Sequence, residues 1–254
     1  MNHTYDDAAL LARMEQQITT WQSTGDRRVT FLACYTLMTR RMLAGLAAKR
    51  FHDGPWVHRL IHDFAAYYFV ALETYDGRSQ GLLPEVWQRT HRLTCEPGTS
   101  VTQGLLMGVN AHINCDLALV LDDLLAPEWA TSDAAIRASR YADYCLVNTI
   151  IAETIDCVQD DVVGPQARLM QLVDRALGPL DEWCTARLIT NWRTEVWHHT
   201  LAMLEAPDLA THQAMRQQAD TDAVKRMDLL GMGDGIGARV FGYPLRYLTR
   251  LRLI

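Results

Sequence analysis

The sequence predicts an all-α protein, a single irregular bundle of about eight or nine helices. Three observations predict it. Apolar residues recur at spacings of three and four through almost the whole chain, the period of helices buried along one face. No segment alternates apolar with polar residues as a half-buried strand does, and no repeat of about 30–50 residues points to a solenoid. Helix-starting and helix-stopping residues fall at the ends of the periodic segments.

Taken in order, a first helix runs from about Asp6 to Ser23 and is closed by Gly25. A second spans about Asp26 to Lys49, with Asp26 as its N-cap. Pro55 opens a third, reaching Tyr75, because proline suits the first helical position. Asp76-Gly77-Arg78-Ser79 is a turn, and Pro84 opens a short helix to Leu93. After Glu96-Pro97-Gly98, Thr99 or Ser100 caps a long helix expected to end near Leu125, ahead of Pro127. Thr131-Ser132-Asp133 caps another, reaching about Asp160, and further helices are expected over 166–177, 180–205 and 207–229. The domain is therefore drawn over 1–230. The glycine- and arginine-rich segment 231–254 is read as a tail packed on the domain or on a partner subunit, and a homodimer is a candidate assembly.

Composition bounds the function. Apolar residues make up 49% and charged residues 21% of 254, an ordinary globular balance with enough chain for a sizeable core. The formal net charge of −6 argues against nucleic acid and anionic membrane as partners, since both reward a basic face. No run of about 18 uninterrupted apolar residues predicts a membrane span. The acidic, amphipathic start lacks the basic end and apolar run of a signal peptide. The six cysteines contain no CxxC pair and read as reduced thiols of a cytoplasmic protein.

The stretch GVNAHINCDLALVLDD, from Gly108 to Asp123, places a histidine, two asparagines and three aspartates inside an otherwise apolar helix. Residues four apart share a helix face, so His112 and Asp116 project together. Asn110 and Asn114 do so on a neighbouring face. Buried polar groups each cost about 1–3 kcal/mol when left unpaired, so the cluster implies an internal network or a polar pocket. A network that only sets helix register is the structural alternative.

This segment resembles the hallmark G-x-N-x-H-I-N-x-D-L of an uncharacterised family of helical bacterial proteins, common in actinobacteria. The resemblance extends to Asp26-Arg27-Arg28 with Phe31, Tyr35 and Thr39, and to Asp63-Phe64 with Tyr68-Phe69. It also takes in Tyr141-Ala142-Asp143-Tyr144, then Val147-Asn148, and on to Ile155-Asp156. It implies an all-α fold and no established reaction.

Other groups offer themselves to the same site. Asn148 lies on one face of a helix that also carries Glu153 and Asp156. Trp56, Tyr67, Tyr68 and Trp197 are candidates for a pocket wall. His58 and His62 are four apart, and with His112 and Asp116 they would furnish a His/Asp zinc site of the all-helical phosphodiesterase kind. The glutamate of HExxH is missing, because residue 59 is Arg. A di-iron bundle needs paired Glu-x-x-His, and Glu195 and His199 are four apart. The aspartates of Asp122-Asp123 lack the following acid of a DDxxD magnesium motif, and no Walker, Rossmann or GxSxG signature is present.

The expected function is a cofactor-independent enzyme acting by acid–base chemistry on a small biosynthetic intermediate, in a ring closure, elimination or isomerisation. His112 would transfer the proton and Asp116 would orient it. Asn110, Asn114, Asn148, Asp156 and Tyr68 would bind substrate. A zinc-dependent hydrolase is the first alternative. A non-catalytic helical binding protein is the second.

Overall fold

The computed structural model describes residues 5–157 and 182–229, apart from the side chains of 155–157 and 182–185. Among the described residues there are helices and no strand. We label them α1 (Asp7–Thr24), α2 (Val29–Ala47), α3 (Gly54–Tyr75), α4 (Glu85–Thr94), α5 (Val101–Trp129), α6 (Ala134–Cys157), α7 (Glu182–Leu204) and α8 (Leu209–Leu229). The helix expected over 166–177 and the tail 231–254 lie outside the described residues.

The helix ends follow local chemistry. The carboxylate of Asp6 accepts the N–H of Ala9, and Gly25 closes α1 in the left-handed region at φ 70°. The start of α2 falls three residues after the expected N-cap. Asp26 accepts the N–H of Arg28 and grips its guanidinium, so it serves a turn ahead of the helix. Asp53 caps α3 from Gly54, with Pro55 in the first turn. Asp220 of α8 accepts the N–H groups of Glu85 and Val86, which α4 leaves unpaired at its start. Ser100 and Gln103 form a reciprocal capping box on α5. This helix does not stop near Leu125: it runs through Pro127 to Trp129, because a proline in the last turn removes only one backbone bond. Asp133 caps α6, accepting from Ile136.

Helix α5 is the axis of the molecule. It is long and apolar enough to span a membrane by length and composition, and 89% of its most apolar window is buried inside the protein. Its first half packs in one core with Met14, Trp21, Leu32, Leu72 and Trp87. Its second half packs in another with Trp56, Leu60, Tyr144, Ile150 and Trp197. Helix α8 bridges the two, with Ala223 and Met227 in the first core and Ala219 in the second. Two polar joints add direction. Asp122 of α5, 1% exposed, accepts from His212 at 3.0 Å and pairs with Arg216 of α8. Buried Asp143 of α6 accepts the backbone N–H groups of His52 and Asp53 at 2.8 and 2.7 Å, which seats α6 against the start of α3.

Candidate functional site: a histidine–aspartate pair on an apolar cavity

Midway along α5 the helix widens. Residues His112–Asp116 form one π-turn, in which the N–H of Leu117 reaches back to the carbonyl of His112, five residues earlier. Such turns insert a residue into an α-helix and re-aim the side chains around them. One turn earlier stands Gly108. A β-carbon there would meet the Phe31 ring at 2.5 Å, so the glycine is what lets α2 bring Phe31 against α5.

Within the π-turn, Nδ1 of His112 lies 2.9 Å from Oδ2 of Asp116. The indole N–H of Trp87, on α4, donates to both Asp116 oxygens at 3.0 and 2.9 Å. The histidine is 4% exposed and the aspartate 1%. A carboxylate that accepts from an indole N–H also accepts the Nδ1 proton of a neutral imidazole, which leaves the lone pair of His112 on Nε2. That Nε2 is buried and has no partner. Burial pushes the imidazole below its ordinary pKa, and Asp116 works against that shift. Burial likewise pushes the Asp116 carboxyl up, opposed by its bonds from His112 and Trp87.

Aromatic rings fix the imidazole plane. Phe64 stacks on it with centroids 3.6 Å apart and planes 6° from parallel. Tyr35 meets it edge-on at 4.4 Å, and Phe31 does so at 5.7 Å. These residues form one wall of a cavity of about 170 Å³ lined by α2, α3, α5, α6 and α7. Leu60, Ile61, Leu105, Leu106, Leu117 and Ile151 make most of the rest. The lining hydroxyls of Thr39 and Thr154 bond to carbonyls of their own helices. The Cys34 thiol is pushed up to about 12 by burial, so it is no nucleophile at neutral pH. Helix α7 contributes Arg193 to the lining.

The structure separates the expected site residues. His112 and Asp116 pair as the spacing predicts. Asn110 and Asn114 turn away from the cavity: Nδ2 of Asn110 donates to the carbonyl of Ala223 on α8 at 2.9 Å, and Asn114 donates to Oδ1 of Asn110 at 3.0 Å. They hold α8 in place and do not line the pocket. Asn148 stands behind the wall, accepting from Nε of Arg193 at 2.7 Å. Tyr68 is buried with its ring centroid 6.0 Å from that of His112, as part of the packing around it. The side chain of Asp156 lies outside the described residues. Glu153 faces solvent and pairs with Arg50. Of the expected wall aromatics, Trp56 and Trp197 pack in the second core. Tyr67 donates to Asp123. None of them lines the cavity.

The four expected zinc ligands also divide. Nε2 of His58 and Nε2 of His62 each lie 2.7 Å from Oδ1 of Asp7, at the start of α1, and the three make one ligand-sized cluster. His112 and Asp116 are not part of it. The two pairs sit on different faces of the packing, which spacing along each helix does not reveal.

Sequence reasoning missed Trp87, Phe64 and Arg193 as site residues. Trp87 and Arg193 reach the site from helices far away in the chain, and one sequence carries no signal for that. Phe64 stood in the resemblance without a role.

Fold and site together define an all-helical protein with a buried histidine–aspartate pair set in the wall of an apolar cavity. The chain belongs to a family of unknown function, DUF5995, whose model matches residues 8–231. No curated protein and no solved structure matches it.

Proposed function

We propose that this protein is an acid–base enzyme that encloses a small, mainly apolar biosynthetic intermediate and moves a proton on it through Nε2 of His112, in an isomerisation, elimination or ring closure. One observation carries the reading: the cavity wall holds an imidazole whose Nδ1 is engaged and whose buried Nε2 has no partner. A general base needs a lone pair aimed at the substrate and a basicity near the working pH. Asp116 bears on both as a positioning residue. It fixes the tautomer and offsets part of the loss of basicity that burial imposes. Trp87 holds Asp116 in turn, and the stacked Phe64 keeps the ring plane. Apolar walls exclude water, which strengthens these interactions and protects a reactive carbanion or enol. The HIN segment is read as the family's signature on the same ground.

The test follows the proton. Wild-type protein and His112→Gln are incubated in D2O with a small-molecule extract, and metabolite masses are compared. Wild type is expected to place solvent deuterium on one compound at a rate about 10²–10⁴ times that of the variant, with melting temperature unchanged. Equal exchange in both samples would remove His112 from the mechanism. Asp116→Asn is expected to slow exchange and to move the acid limb of its pH profile further below the ordinary histidine range, because the anion that raises the His112 pKa is gone.

The apolar lining also favours a second reading, a carrier that binds without turning over; it predicts ligand retention with no exchange. A zinc hydrolase would have to draw on Asp7, His58 and His62, and metal analysis with the exchange assay run in chelator separates it from the first reading.

A further inference from the structure

Among the described residues, Arg193 is the one cation in the cavity lining, and its setting is unusual. It is 4% exposed. Its Nε donates to the amide oxygen of Asn148 at 2.7 Å, its Nη2 donates to the carbonyl of Tyr144 at 2.9 Å, and the guanidinium lies 4.2 Å over the Tyr144 ring. All of these partners are neutral. Other arginines drawn into the protein have carboxylates: buried Arg140 has Glu128 and Asp53, and partly buried Arg28 has Asp26 and Asp76. Arg193 has none among the described residues, and its Nη1 makes no hydrogen bond there. A guanidinium stays charged at neutral pH, and a buried charge without a counter-ion is costly. Asn148, Tyr144 and the ring hold the fork rigidly while leaving Nη1 and the second N–H of Nη2 unused. Such a fork is built for a carboxylate, which it can meet with two parallel charge-assisted bonds.

We infer that the cavity binds an amphiphilic carboxylic acid, with its carboxylate on Arg193 and its apolar body along the leucine and isoleucine walls toward His112. A phosphate dianion fits less well, because the described lining residues offer a single cation and their threonine hydroxyls are committed to their own helices. Helices α5 and α7 then divide the work: Arg193 sets which end of the ligand enters which side, and His112 faces the body. The inference rests on the proposed function only in taking this cavity as the ligand site; it does not need proton transfer.

The experiment is calorimetric titration with paired probes that differ in charge alone, decanoate with decan-1-ol and 1-naphthylacetate with 1-naphthaleneethanol. Wild type is expected to bind at least one acid about tenfold or more tightly than its alcohol. Arg193→Met is expected to bring the two to within about threefold of each other, with alcohol affinity kept. His112→Gln is expected to leave the preference in place. Should Arg193→Met fail to fold, Arg193→Lys keeps the charge and loses the fork, so acid affinity should fall several-fold while alcohol affinity holds. Equal affinity for acids and alcohols in wild type, or a preference that survives Arg193→Met, would overturn the anion anchor and leave the acid–base reading standing. Failure of all four probes to bind would overturn the cavity as a ligand site, and this inference with it. Acid preference together with no deuterium exchange would keep the anchor and end the catalytic reading.

Discussion

His91 and His112 are both buried, and they differ in what faces each ring. His112 has Asp116 on Nδ1, whereas His91 lies between Trp87 and Tyr75 with its Nε2 unpartnered. Burial pulls the His91 pKa down to about 3. The neutral form is therefore kept in the folded protein while the unfolded chain takes up a proton below about 6.5. The unfolded state binds more protons in that window, so stability falls as pH drops from 6.5 toward 3. At pH 5 the loss from this one residue is about 2 kcal/mol. Urea unfolding of wild type and His91→Leu at pH 7 and pH 5 should show the wild type losing about 2 kcal/mol more than the variant. Equal losses would mean that the folded protein protonates His91 and that the ring is not held dry.

Helix α5 shows how one element carries both packing and chemistry. Periodicity placed a long buried helix over this segment and put His112 beside Asp116, and both are seen. The π-turn was not legible, because one inserted residue leaves little trace in the periodicity of a helix that is apolar on nearly every side. Nor was the role of the asparagines. Two amides on a polar stripe look alike whether they face a ligand or the carbonyl of Ala223. Gly108 gives the element its sharpest test. Its missing side chain makes room for the Phe31 ring, so Gly108→Ala forces that ring or the helix to move. Overpacking of this kind costs about 1–3 kcal/mol. The expected result is a lower urea midpoint with an unchanged slope and weaker binding of the apolar probes. A variant as stable as the parent would show that α2 and α5 yield easily at this crossing.

The described residues form two apolar cores, and α2, α3, α5 and α8 each place side chains in both. Because α5 runs through one core and into the other, neither can come apart without exposing half of it. Trp21 and Trp87 report on the first core, Trp56 and Trp197 on the second. Tryptophan fluorescence and far-ultraviolet circular dichroism should therefore follow a single, coincident urea transition. Separated transitions would show that α5 is not continuous in its stability and that the π-turn acts as a break.

The sequence by itself determined that this chain is helical, where most of the helices begin and end, and that the middle of the longest one carries too many polar groups to be ordinary core. Those are local properties: capping, periodicity and spacing act over a few residues and are written along the chain. Only the tertiary structure decided which polar groups share a cavity. It put Trp87 behind Asp116, set Arg193 in the same cavity lining as His112, turned Asn110 and Asn114 toward α8, and gathered His58 and His62 around Asp7. The direction in which a buried side chain points depends on how neighbouring helices cross, and the crossing is settled by side chains remote in sequence, such as Phe31 against Gly108.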